Sequence, residues 1–181
     1  MAQATSRVSV EPEVNPAPLG AELDVFIFIE DADDLAAFQF TLDYDDAYLE
    51  YVSTDLGPFL GTSGREVLEL GPDHVPGTLT FGGLALPQGS LPGAEGAGDL
   101  AIVRFKTLAL GDTELDLTEV LLETSDTTRT EVEGVDETLT ITDAEPTPTG
   151  PAETPATPGS ATATPGPTDQ YLLHVPRVDR G

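Results

Sequence analysis

Carboxylates are the commonest reactive groups in this chain, and two tight groups of them suggest chemistry. Asp31, Asp33 and Asp34 fall within four residues, and Asp43, Asp45 and Asp46 form a second trio. Calcium takes about six to eight oxygen ligands, mostly carboxylates and carbonyls, which makes each trio a weak calcium candidate. Neither has the Asp-x-Asp-x-Asp-Gly order of an EF-hand loop, and solvated turn residues are the plainer reading. Paired carboxylates also perform glycoside hydrolysis, but among 33 Asp and Glu residues a pairing carries no information. The only histidines are His74, in a Pro/Gly-rich stretch, and His174, near the C-terminus, and no Gly-x-Ser-x-Gly elbow accompanies them. There is no cysteine, so thiol nucleophiles, disulfides and Cys-based zinc sites are excluded. The sequence therefore predicts no catalytic residue, no cofactor and no enzyme. Stacking on a sugar ring needs exposed flat aromatics; Trp is absent, and Tyr48 and Tyr51, close to a turn, are the candidates.

Charge narrows the partners. Up to Glu145 there are 30 carboxylates against 5 Lys and Arg, a net of 25 negative charges. Such a field repels nucleic acid and anionic lipid and keeps the protein soluble. No apolar run reaches the ~18 residues that span a bilayer. The N-terminal Met1–Thr5 lacks a basic n-region and an apolar core, although Ala2-Gln3-Ala4 looks like the end of a cleaved signal. The expectation is a secreted or cell-surface protein, monomeric, with no membrane span.

The elements that must position any site are strands. Apolar residues alternate with polar ones at Val8–Val10, Phe38–Tyr44, Leu79–Phe81, Ala101–Phe105, Leu115–Leu117 and Leu139–Ile141. Leu23–Glu30 is apolar partly on both faces, as in a central strand. Tyr48–Val52 and Val67–Leu70 are less regular runs, and one helical turn is possible at Asp46–Leu49. Turn signals separate the runs: Gly57-Pro58, Gly71-Pro72-Asp73, Pro76-Gly77, the Gly-rich Gly89–Gly98 and Gly111-Asp112. About nine short strands of this kind predict an all-β, jelly-roll type of sandwich over residues 5–143. Residues 144–170 carry seven Pro and seven Thr and no aliphatic side chain larger than Ala, which predicts a disordered Thr/Pro-rich stalk. Residues 171–181 form a short apolar and basic tail.

Three blocks resemble the bacterial and archaeal cohesin domains. Pro18–Val25 resembles their entry to the second strand. Phe38–Val52 (FQFTLDYDDAYLEYV) resembles their third-strand block. Gly96–Lys106 followed by Gly111 resembles their Gly-x-Gly-x-Leu-Ala block. The resemblance implies a nine-stranded jelly roll related to cellulose-binding modules, and a module that binds dockerin domains to mount polysaccharide-degrading enzymes on a scaffold. Cohesins of that sort carry Asn and Asp on the exposed face of the third strand; here those positions align with Ala37 and Gln39, so dockerin binding is either lost or altered in specificity.

The same alternation leaves Gln39, Thr41 and Asp43 facing outward on one strand, Thr80 and Gly82 on another, and Ile102, Arg104 and Lys106 on a third. If these strands adjoin in one sheet, they form a partner-binding face with an Asp43–Arg104 or Asp43–Lys106 ion pair. Three functions compete: a cohesin-like module docking a dockerin-like protein, a module that binds polysaccharide, and a surface domain without a specific ligand. Residues 5–143 are expected to fold alone, because nothing after Asp143 can bury much area. Limited proteolysis checks this and should leave a stable fragment ending near residue 143.

Overall fold

The computed structural model describes residues 6–143. The expected stalk and tail, 144–170 and 171–181, and the first residue of the expected domain lie outside the described residues. Eleven strands follow one another: β1 (Arg7–Pro12), β2 (Ala17–Pro18), β3 (Glu22–Tyr44), β4 (Leu49–Leu56), β5 (Val67–Val75), β6 (Thr78–Ala85), β7 (Ala94–Thr107), β8 (Gly111–Thr124), β9 (Arg129–Val132), β10 (Gly134–Val135) and β11 (Glu137–Thr142). A 3-10 turn at Phe59–Ser63 is the only helical element among the described residues, and no helix there is long and apolar enough to cross a membrane.

The nine expected runs all fall in strands apart from Tyr48, which lies in the turn before β4, and with one rearrangement. Leu23–Glu30 and Phe38–Tyr44, read as separate strands, are the two halves of the 23-residue β3. Its first half lies between β1 and β7, and β4 pairs with the far edge of β7. Its second half lies between β6 and β8, and β5 pairs with β6. One layer is therefore β4-β7-β3-β1, with β10 on the edge of β1, and the other β5-β6-β3-β8, with β9 on the edge of β8, and the core lies between them.

The crossing between layers explains the first acidic trio. From Ile29 to Ala32 and from Ala32 to Leu35, β3 advances three residues while β7 advances two, so each step holds one extra residue. That is the geometry of a bulge, which bends a strand and strengthens its twist. Asp31 and Asp34 sit in these steps at φ 52° and 56°. Asp enters the left-handed region more readily than most residues with a Cβ. The trio is thus a bulged bend and not a free loop.

Two turn expectations change in detail. The Asp46–Leu49 helical turn is a single tight turn, closed by the N–H groups of Tyr48 and Leu49 on the Asp45 carbonyl, with the Asp45 carboxylate accepting the Ala47 N–H at 2.9 Å. Gly71-Pro72-Asp73, expected to separate strands, lies inside β5 as another bulge, since Leu70 pairs with Gly82 and Asp73 with Thr80. Gly71, at φ 108°, makes that path open to the backbone.

The inward parity of the strands fills the core. Val25, Ile27 and Ile29 from one half of β3 and Phe38, Phe40 and Leu42 from the other are all buried. The Phe40 ring lies 6.3 Å from Phe38 and 6.1 Å from Phe81. Phe40 and Phe81 are each 1% exposed, so truncation leaves a cavity that neighbours cannot easily fill. Phe40→Ala should cost about 3–5 kcal/mol, measured as a lower midpoint in urea with an unchanged m-value.

Candidate functional site

Directly paired residues of an antiparallel sheet point to the same side, so the pairing defines the outer face of β5-β6-β3-β8 row by row. Leu68, Leu84, Ala37 and Glu123 make the first row, and Leu70, Gly82, Gln39 and Leu121 the second. Asp73, Thr80, Thr41 and Thr118 follow, and then Thr78, Asp43 and Asp116. Gln39, Thr41, Asp43, Thr80 and Gly82 therefore share one face, as the alternation predicts.

Ile102, Arg104 and Lys106 do not join them. They lie on β7, paired with Phe26, Asp24 and Glu22 in the opposite layer. Arg104 makes a two-pronged pair with Asp24 at 2.7 and 2.9 Å. The expected ion pair to Asp43 is replaced by threonine hydroxyls: Thr78 donates to Asp43 at 2.8 Å and Thr118 at 3.2 Å. The error lies in topology. Outward parity on β3 before the bend and after it belongs to different layers, and β7 pairs before it.

The face has two halves. The first two rows are apolar around Gln39 from β5 to Leu121, with Leu68 and Leu70 42% and 49% exposed and Leu84 and Leu121 half-buried, and they end in the charged Glu123, Arg129 and Glu131. A small cleft of about 100 Å³ opens between Leu70 and Leu121 beside Gln39. Gly82 keeps the middle of the face low, and its backbone has no room for more: a Cβ there would lie 2.6 Å from the Phe38 carbonyl oxygen. The other half is a hydroxyl and carboxylate network. Thr41 and Thr80 share a hydrogen bond of 3.2 Å, and the Thr41 hydroxyl also reaches Glu119 at 3.3 Å. Glu119 comes onto this face through a bulge: β8 takes three steps from Thr118 to Leu121 while β3 takes two, and Glu119 has φ 47°. Beyond Asp43, an open cleft of about 500 Å³ is lined by Asp45, Asp112, Glu114 and Asp116.

Sequence reasoning misses Leu68, Leu70, Leu84, Leu121 and Glu119. One usable signal is the run Val120-Leu121-Leu122, which puts apolar side chains on both faces of a strand. The bulge at Glu119 has no sequence signature.

The family model described as "Cohesin domain" matches residues 8–142, from β1 to β11. The chain belongs to the cohesin family. Three solved cohesins show the same fold. A non-cellulosomal cohesin from the hyperthermophilic archaeon Archaeoglobus fulgidus superposes with a TM-score of 0.62 at 19% identity, covering 77% of this chain and 92% of that one. A type II cohesin from the cellulosome of Acetivibrio cellulolyticus gives 0.62 at 17%, covering 75% and 95%. The sixth cohesin of scaffoldin B from the same bacterium, solved in complex with a Cel5 dockerin mutant, gives 0.64 at 17%, covering 77% and 100%. No curated protein matches the chain.

The two tyrosine candidates of this cohesin domain are partly packed into it. Tyr48 and Tyr51 are half-buried against the core. The Tyr51 ring stacks on His74 at 4.2 Å, and His74 Nε2 and the Tyr44 hydroxyl are 2.7 Å apart. His74 is thus a strand residue joining the two layers. Burial pushes the Tyr44 phenol up from its ordinary value.

Asp31, Asp33 and Asp34 do not converge: no group of three carboxylates or imidazoles among the described residues could hold a metal ion. Asp34 has a structural task. Its carboxylate accepts the Ser125 hydroxyl at 2.6 Å, the Gly93 N–H and the Ser125 N–H. The Ser125 hydroxyl, then the Gly93 N–H, hold its carboxyl below the usual carboxylate range, with a smaller pull from the charge of Arg65. Its folded-state value lies below the unfolded one, so the stability it adds is present above about pH 4 and is lost as pH falls through the folded value. Asp34→Ala strands the buried Gly93 N–H and should cost about 1–3 kcal/mol at pH 7. Urea unfolding should show the gap between parent and variant shrinking below about pH 4.

Proposed function

We propose that this chain is a non-catalytic docking module that binds a dockerin-like protein on the β5-β6-β3-β8 face, in a secreted or cell-surface assembly that acts on polysaccharide. The observation that carries the reading is the apolar half of that face. Leu68, Leu70, Leu84 and Leu121 lie together on a domain otherwise crowded with carboxylates. A cluster of half-exposed leucines around one amide is the kind of patch that marks protein-binding surfaces. Family membership supports the same reading, as does the dockerin bound to the sixth Acetivibrio scaffoldin B cohesin. Ala37 and Gln39 leave the centre of the face uncharged, which favours a partner that presents apolar side chains there. The Thr/Pro-rich residues 144–170 serve as a stalk.

The test is a calorimetric titration of the full chain against dockerin domains from its own source. Binding at micromolar affinity or tighter is expected for at least one. Leu70→Asp should weaken it about 30-fold or more, as hot-spot losses above about 2 kcal/mol do, and leave the thermal midpoint within a few degrees of the parent. Parental affinity in Leu70→Asp, or no binding by any dockerin, overturns the assignment.

A further inference from the structure

The docking face runs at one end into the acidic cleft, and the two together describe a partner. Gln39 and Asp43 are four residues apart on β3, so the centre of the leucine patch and the mouth of the cleft are about 13 Å apart. Most carboxylates around that mouth are engaged. Asp43 takes two threonine hydroxyls, Asp112 takes Thr140, and Asp45 takes the Ala47 N–H. Glu114 and Asp116 differ. They point to the same side of β8 at positions two apart, line the cleft, and receive no hydrogen bond or cation from any described residue. The one described cation at this face, Arg129, sits at the opposite end and is paired with Glu123.

The carboxylates are spread around an open cleft of about 500 Å³ and do not converge on a point. That spacing suits cations on long flexible stems better than a metal ion, which needs its ligands gathered at bonding distance.

We propose that the partner of this face is an amphipathic segment with apolar side chains for the leucine patch and, about 13 Å further along, Lys or Arg side chains that enter the cleft beside Glu114 and Asp116. This deepens the docking reading and rests on it. The leucines hold the partner, and the carboxylates fix its direction and exclude acidic competitors, since like charges facing each other in an interface are costly.

Two synthetic helical peptides test this on the full chain by fluorescence anisotropy at about 150 mM salt, where long-range attraction is screened. They share a leucine stripe and differ about two turns further on, with Lys in one and Glu in the other. The Lys peptide should bind at least ten-fold tighter. The double variant Glu114→Lys with Asp116→Lys should reverse the preference. Glu50→Lys with Asp55→Lys, which changes net charge equally at exposed sites of β4 in the opposite layer, should keep it within about three-fold. Leu70→Asp should weaken both peptides. Equal binding of the two peptides, binding by neither, or loss of preference in the off-face variant overturns the proposal. If Leu70→Asp abolishes binding and the Glu114/Asp116 variant changes nothing, the cation pairing fails alone. If Leu70→Asp changes nothing, the docking face itself fails.

Discussion

Strand β3 belongs to both layers of the sandwich because its backbone turns at Asp31 and Asp34. Everything else hangs on that bend. Before it, β3 pairs with β1 and β7; after it, with β6 and β8. A straight strand of 23 residues would be about 75 Å long, far beyond any domain of this size. The bend is held as well as permitted. Asp34 is in the left-handed region, and its carboxylate ties three donors from the loop before β7 and the turn after β8. Arg65 braces the same corner by donating to the Leu91 carbonyl. One carboxylate thus fixes the bend and the two segments that pack against it.

The bend also decides what the outer face can be. It places the second half of β3 in the middle of its layer, flanked by β6 on one side and β8 on the other. A central strand has no free backbone groups, so a partner on this face is met by side chains alone. Those side chains are sorted into an apolar half and a hydroxyl-rich half along the strand direction. Gly82 keeps the apolar half shallow, and the bulge at Glu119 brings a carboxylate over the polar half. Each threonine there is committed to a neighbour, which makes the polar half pre-organised, and pre-organisation lowers the entropy lost on binding.

The opposite layer carries two of the three charge pairs among the described residues. Arg104 with Asp24 and Arg7 with Glu30 hold adjacent strands together on a face that the binding reading does not use. With both side chains partly exposed, such pairs contribute little to stability. Their effect is to consume two of the few cations of an acidic domain, which leaves the cleft beyond Asp43 without an internal counter-charge.

Much of the architecture is legible in the sequence, because burial on one side of a strand forces an alternation that survives in the residue order. Val8–Val10, Phe38–Tyr44 and Leu115–Leu117 announce strands, and the inward parity of Phe38, Phe40 and Phe81 announces the core. The outward set on β3 and β6 follows from the same rule. Alternation says which side of its own strand a residue faces, but not which strands are neighbours or in which layer. The sequence does not show that Leu23–Glu30 and Phe38–Tyr44 are one bent strand, so alternation alone pairs Arg104 with Asp43, whereas its partner is Asp24. It could not show that Leu68, Leu70, Leu84 and Leu121 meet, because they come from three strands and span more than fifty residues of sequence. Pairing between distant strands and bulges at Asp34 and Glu119 are set by the whole packed structure, where one extra residue in a ladder redirects a side chain, and only the tertiary structure decides them.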